Sequence, residues 1–172
     1  MSFSQIAYFG CGCFWTKEYL FSKMTGVTST RTGYMGGISD TPTYHDVCTK
    51  TTGHAEVVEV TYDSRLTSLH QLLKGFFGFH DATQDRSAKG GQYRSTVFWR
   101  KLEERVQLES VIEQLHTSGL NVSTQIEEAA TFWEAEQRHQ GYVERTGRQC
   151  DLSPTMDLGG LSIEDIVRSR AN

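Results

Sequence analysis

The sequence predicts an α+β domain in which a mostly antiparallel sheet carries helices on it. Three observations lead there. In "HAEVVEVTYD" (54–63) side chains of two characters alternate with period 2, as in a strand. In "SLHQLLKGFFGF" (68–79), Leu69, Leu72, Leu73, Phe76 and Phe77 recur at i, i+3, i+4, i+7 and i+8, one face of a helix. Segments of these two kinds follow one another as strand, helix, strand, strand, helix, strand, helix, strand, helix. The 172 residues suit a single domain, 1–172, because domains cluster near ~100–150 residues.

Taken in order, residues 4–9 ("SQIAYF") read as a strand. Gly10 and Gly12 punctuate a turn, and "CFWTKEYLFSKM" reads as a helix with Cys13, Leu20, Phe21 and Met24 on one face. Residues 27–34 form a second strand. The stretch from Met35 to Gly53 is too irregular for a regular element, and a long loop in a compact domain is usually functional or disordered. After the strand at 54–63 and the helix at 68–79, a glycine-rich loop, Asp81 to Gly91, leads to the strand "YRSTVFW". A helix from about 101 to 116 turns Leu108, Val111, Ile112 and Leu115 inward. "STQIEEAATFW" then reads as a strand and "EAEQRHQGYVER" as a helix. The tail from about 149 is irregular, apart from a capping-box variant formed by Ser162 and Asp165.

Bulk composition narrows the function. Hydrophobic content of 37% and charged content of 22% describe a globular protein, not a disordered one. A net charge of -4 argues against nucleic acid or an anionic membrane as partner, since both reward a concentrated basic face. No apolar run approaches the ~20 residues that span a bilayer. The start, "MSFSQIAYFG", lacks the basic and apolar regions of a signal peptide, so the cytoplasm is expected. There Cys11, Cys13, Cys48 and Cys150 would be reduced at rest, which points to thiol chemistry or metal before a structural disulfide framework. A metal site is not expected: the chain has no C-x-x-C, and its six histidines are scattered. No G-x-S-x-G supports a serine hydrolase.

Cys13 follows a strand–glycine turn and opens a helix, where the positive end of the macrodipole favours a thiolate. Position leaves it open between nucleophile and core cysteine. Phe14 and Trp15 are likewise either a pocket wall or core. Glu56 shares its strand face with Val58, Val60 and Tyr62, the more apolar face, so it should point inward at the rim. Burial there raises a carboxyl pKa toward what a general acid near neutral pH requires; a solvent-facing strand end is the alternative. Tyr44 and Tyr93 sit in the glycine-punctuated loops, able to offer hydroxyls to a polar ligand or simply to pack. Cys150 lies in polar, irregular sequence, a poor place for a core residue and a workable one for a resolving thiol. Cys11 and Cys48 read as inert.

These residues combine into a family pattern. "GCFWTKE", "GYMGG", "PTYHDVCTKTTGHAEVVEVTYD", "GGQYRS" and "HQGY" followed by Cys150 closely resemble the A-type peptide methionine sulfoxide reductases, over about 9 to 150. The resemblance implies a two-layer α/β sandwich with a ferredoxin-like core, and a single catalytic domain. It implies that Cys13 attacks the sulfoxide sulfur and that Phe14 and Trp15 hold the substrate methyl group. Glu56 would protonate the sulfoxide oxygen, with Tyr44 and Tyr93 hydrogen-bonded to it. Cys150 would be the recycling cysteine that closes a disulfide with Cys13, reopened by thioredoxin or another dithiol, with no bound cofactor. The substrate would be the S epimer of methionine sulfoxide, free or in protein, and a monomer is expected. The chain departs from the family pattern in four places, one of them the loop from Asp81, about three residues shorter. Thr16 stands where glycine is usual. Ala88 stands where an aspartate is common, with Asp85 the candidate to replace it. No cysteine occurs in 151–172. A binding module for oxidised methionine and a thiol peroxidase are the rival readings, and an inward carboxyl beside the thiol disfavours the peroxidase.

Overall fold

A computed structural model describes residues 2–150. Its elements are β1 (Ser4–Cys11), α1 (Phe14–Ser22), β2 (Val27–Met35), α2 (Tyr44–Cys48), β3 (Ala55–Asp63), α3 (Leu69–Gly78), β4 (Ser95–Trp99), α4 (Leu102–Thr117), β5 (Gln125–Glu128), β6 (Trp133–Glu134) and α5 (Tyr142–Thr146). The expected capping box at Ser162 and Asp165 lies outside the described residues. Among them, no helix is long and apolar enough to cross a membrane.

One six-stranded sheet runs β5-β4-β1-β3-β2-β6. Its inner four strands, with α1 and α3 as crossovers, form the β-α-β-β-α-β ferredoxin-like core expected from the sequence. Every pairing is antiparallel except β4 with β5. Three helices supply one face: Phe21 of α1, Leu72 and Phe76 of α3, and Leu108, Val111 and Leu115 of α4 join Phe9, Val58, Val60 and Val97 in a single core. Phe9 lies at the centre, stacked on Phe21 at 4.8 Å and tilted against Phe76 at 5.6 Å.

Several boundaries differ from the periodicity reading. The loop 35–53 contains α2, whose single turn is nucleated by a capping box between Thr43 and Asp46 rather than by apolar spacing. The strand expected over 123–133 divides into β5 and β6, on opposite edges of the sheet. The helix expected over 134–145 is mostly a 3-10 turn at Gln137–His139 and the short α5. The inward face of α1 also differs: Thr16, Lys17 and Glu18 are buried with Phe21, whereas Leu20 is half-buried. Their polar atoms bond to other elements, which no one-dimensional pattern records.

The second sheet face is covered too. Met35, Ala55, Val57 and Phe98 form a smaller core under Ala129 and Phe132, the segment joining β5 to β6. Gly33 makes this cover possible. A Cβ there would lie 2.4 Å from the Phe132 ring and 2.5 Å from the Trp133 carbonyl oxygen. Gly33→Ala is therefore expected to destabilise the fold by about 1–3 kcal/mol, as overpacking does. Denaturant unfolding checks this, and an unchanged midpoint would show that β6 moves aside freely.

Candidate active site

The site is built where β1 becomes α1. Gly12 takes φ 100, a left-handed value suited to glycine, and turns the strand into the helix. Cys13 is the N-cap of α1, yet its own side chain makes no capping hydrogen bond. The cap comes from another strand: the Phe14 N–H donates to Glu56 Oε2 at 3.0 Å. Glu56, the second residue of β3, lies opposite Tyr34 and is only 2% exposed. Gln92 secures it twice. The Glu56 N–H donates to the Gln92 carbonyl at 2.9 Å, and Gln92 Nε2 donates to Glu56 Oε1 at 2.9 Å.

Burial and these two donors oppose each other at Glu56. Desolvation pushes its carboxyl up, while the Phe14 and Gln92 bonds and the Arg86 charge pull it down. Desolvation wins, and the carboxyl is pushed up to about 7. The inward placement expected from period 2 is observed, with Val58, Val60 and Tyr62 on the same face. Ala55 and Val57 are buried as well, so β3 is covered on both sides.

Tyr44 and Tyr93 both feel the charge of this carboxyl. Burial raises both phenols most; Glu56 adds to it at Tyr93, which reaches about 12, and at Tyr44 follows the hydrogen bond with Cys48. Both therefore remain hydroxyl donors near neutral pH. Tyr44 is the first residue of α2, and its N–H donates to Glu136 at 3.2 Å. Arg86 lies 5.1 Å from the Tyr93 ring centre.

Phe14 is buried in the main core against Tyr34, at 5.8 Å between ring centres. Trp15 is half-buried and stacks on Tyr142 at 3.9 Å. Between these rings sits His139, which accepts the Trp15 indole N–H on Nδ1 at 2.9 Å and lies 4.5 Å from the Tyr44 ring. His139, Gln92, Glu136 and Tyr142 carry no mark of a site residue in the sequence. "HQGY" and "GGQYRS" contain three of them, but nothing in their spacing shows that they meet α1.

Cys150 is joined to Cys13 by a disulfide, with the two Cα atoms 6.6 Å apart. Its backbone N–H donates to Thr16 Oγ1 at 3.0 Å, and Thr16 is 2% exposed. Thr16 thus ties the C-terminal segment to the first turn of α1. Cys11 is buried, and desolvation pushes its thiol up to about 12. Cys48 is half-buried and faces Tyr44 and Gln92. Asp85 stands apart from the cluster: its exposed carboxylate accepts from the Ser87 N–H at 2.9 Å and hydroxyl at 2.6 Å. Among the described residues no group of three or more His, Cys, Asp or Glu side chains could hold a metal ion. A separate cavity of about 280 Å³ lies between α1, β2 and α5, but neither Cys13 nor Glu56 lines it.

A cysteine, a buried carboxyl and aromatic rings thus meet at one helix N-terminus, in a chain whose sequence and fold known proteins share. The family model for peptide methionine sulfoxide reductase matches residues 5–159. The peptide methionine sulfoxide reductase MsrA of Methanothermobacter thermautotrophicus is 46% identical over 149 residues, covering 83% of this chain and 88% of that relative. The crystal structure of Mxr1 from Saccharomyces cerevisiae in reduced form superposes with a TM-score of 0.81 at 28% identity, over 90% of this chain and 93% of the other. Mxr1 in complex with Trx2 superposes with a TM-score of 0.60 at 22% identity, over 90% and 91% of the two chains. By sequence and by fold, the chain belongs to the peptide methionine sulfoxide reductase family of oxidoreductases.

Proposed function

We propose that this enzyme reduces the S epimer of methionine sulfoxide, free or in protein, with Cys13 as nucleophile and Glu56 as proton donor. The observation that carries the reading is the Phe14 N–H to Glu56 hydrogen bond. It sets the acid against the first turn of the helix that Cys13 caps. In the reduced enzyme the Cys13 thiolate, favoured by the α1 dipole, attacks the sulfoxide sulfur. Glu56 hands its proton to the sulfoxide oxygen, while Tyr44 and Tyr93 donate hydrogen bonds to that oxygen. Phe14 and Trp15 receive the methyl group and exclude water.

The oxygen ends on the Cys13 sulfur as a sulfenic acid, and methionine leaves; two electrons pass from thiol to sulfoxide. The Cys150 thiol then attacks the sulfenic sulfur, water departs, and the Cys13–Cys150 disulfide forms. A dithiol protein of the thioredoxin type reopens it by exchange; the yeast relative Mxr1 solved with Trx2 supports that choice. Asp85, bonded to Ser87, would act by shaping the loop that carries Arg86.

Incubation with each sulfoxide epimer and dithiothreitol tests the whole reading. Methionine is expected from the S epimer only and not from Cys13→Ser; release from the R epimer would overturn the epimer assignment. Because Glu56 must carry a proton, its contribution is present below about pH 7 and lost as pH rises through that value. A single-turnover rate should fall with that apparent pKa. Glu56→Gln should slow it by about 10²-fold or more and erase the titration. A rate and profile unchanged in this variant would exclude Glu56 as the acid.

Cys150→Ser should still release one methionine per enzyme and then stall with thioredoxin. Thr16→Ala, which removes the acceptor for the Cys150 N–H, should slow disulfide closure roughly three- to tenfold, while Thr16→Ser restores it. Quenched-flow thiol counting reads both, and closure unaffected by Thr16→Ala would show the tether to be incidental.

A further inference from the structure

We propose that the cavity beside Gln92 is an anion subsite that receives a carboxylate carried by the substrate next to its sulfoxide. The cavity measures about 180 Å³ and is lined by Lys50, Arg86, Ala88, Gln92 and Tyr93. That is below the ~300–1,000 Å³ of a whole small-molecule site, so it accommodates one group of a ligand anchored elsewhere. The anchor is adjacent. Gln92 lines the cavity and also donates to Glu56 Oε1 at 2.9 Å, and Tyr93 faces both the cavity and Glu56. The inference therefore rests on the sulfoxide reductase reading of that carboxyl.

The charged side chains of this wall are both cations. Among the described residues, neither Lys50 nor Arg86 forms a salt bridge. Asp85, the carboxylate beside Arg86 in the chain, is turned to Ser87 instead. The same wall includes Ala88, where the family pattern would place an acid. A substrate carboxylate would thus meet two cations on the wall itself, the nearest carboxyl being Glu56 behind Gln92, whose charge Arg86 also feels.

The backbone holds this arrangement under constraint. Lys50 adopts φ 63, a left-handed conformation unfavourable for a residue with a Cβ. Gly90 passes so close to it that a Cβ would lie 2.4 Å from the Lys50 carbonyl oxygen. The loop after α2 and the loop before β4 are therefore in backbone contact at a point where only glycine fits. Strain of this kind persists where surrounding structure enforces it, and it clusters at ligand clamps.

Two sources could supply the carboxylate: the α-carboxylate of the oxidised methionine itself, or an acidic neighbour in a peptide. The test uses the full-length enzyme with dithiothreitol and two substrate pairs. The first is N-acetylmethionine sulfoxide against its neutral N-methylamide; the second is a blocked peptide amide with Asp after the oxidised methionine against the same peptide with Asn. The acidic member of a pair should have the higher kcat/KM by about two- to fivefold at low salt, carried by KM. The advantage should fade in 1 M NaCl and in the Lys50→Gln/Arg86→Gln double variant. An advantage confined to the first pair assigns the α-carboxylate, and one confined to the second assigns the acidic neighbour. Equal kcat/KM within both pairs, or an advantage that survives the double variant, overturns the subsite and leaves the reductase reading standing. Release of methionine from none of the four overturns the reductase reading and the subsite with it.

Discussion

The hydrogen bond from the Phe14 N–H to Glu56 is the contact on which the site depends. It caps α1 from a neighbouring strand, because Cys13 supplies no side-chain cap of its own. A helix N-terminus left without a partner would expose unsatisfied donors in a buried place. Using a carboxyl for this purpose links two requirements. The geometry that completes the helix also sets the acid beside the residue that opens it. The same bond tempers the acid: it favours the carboxylate, while burial favours the neutral form, and burial prevails. A fully solvated glutamate would be ionised at neutral pH; one with no N–H donors would hold its proton more tightly.

Around that contact, polar residues occupy places where a helix normally presents apolar ones. Lys17 donates from Nζ to the Phe79 carbonyl at 2.7 Å, Glu18 accepts from the Gly141 N–H at 2.9 Å, and Thr16 accepts from the Cys150 N–H. Each ties α1 to a different later segment. A buried polar atom is tolerated only when its hydrogen bonds are made, so these contacts constrain where those segments lie. The C-terminal stretch, with few apolar residues, is placed by them. His139 is held through one ring nitrogen only: Nδ1 takes the Trp15 indole hydrogen, while its buried Nε2 makes no hydrogen bond among the described residues.

Arg94 does comparable work from the sheet. It donates to the Gly53 and Gly91 carbonyls at 3.0 and 2.9 Å and pairs with Glu127 on β5 at 2.9 Å. One nearly buried guanidinium thereby joins the loop before Glu56, the loop before Tyr93 and the sheet edge. Its fixed fork of donors suits three acceptors better than a lysine could.

The primary sequence by itself determined the elements whose partners are local. The apolar periods of α3 and α4 are consequences of one-sided burial, and the period-2 rule places Glu56 on the face of β3 that carries Val58, Val60 and Tyr62. The glycine turn ahead of Cys13 and the family pattern around it located the thiol; the order of strands and helices pointed to an α+β domain, and the family resemblance to its ferredoxin-like core. What tertiary structure decided are the features made by residues distant in the chain. The α2 turn rests on a polar capping box, and β5 and β6 part to opposite edges because Phe132 covers the second face of the sheet. Gln92, His139 and Glu136 join the site through hydrogen bonds across 36 to 124 positions. Hydrophobic burial leaves a period in the sequence because one face repeats. A hydrogen bond between distant segments leaves none, since each polar atom is satisfied once and by a partner that only the fold brings near.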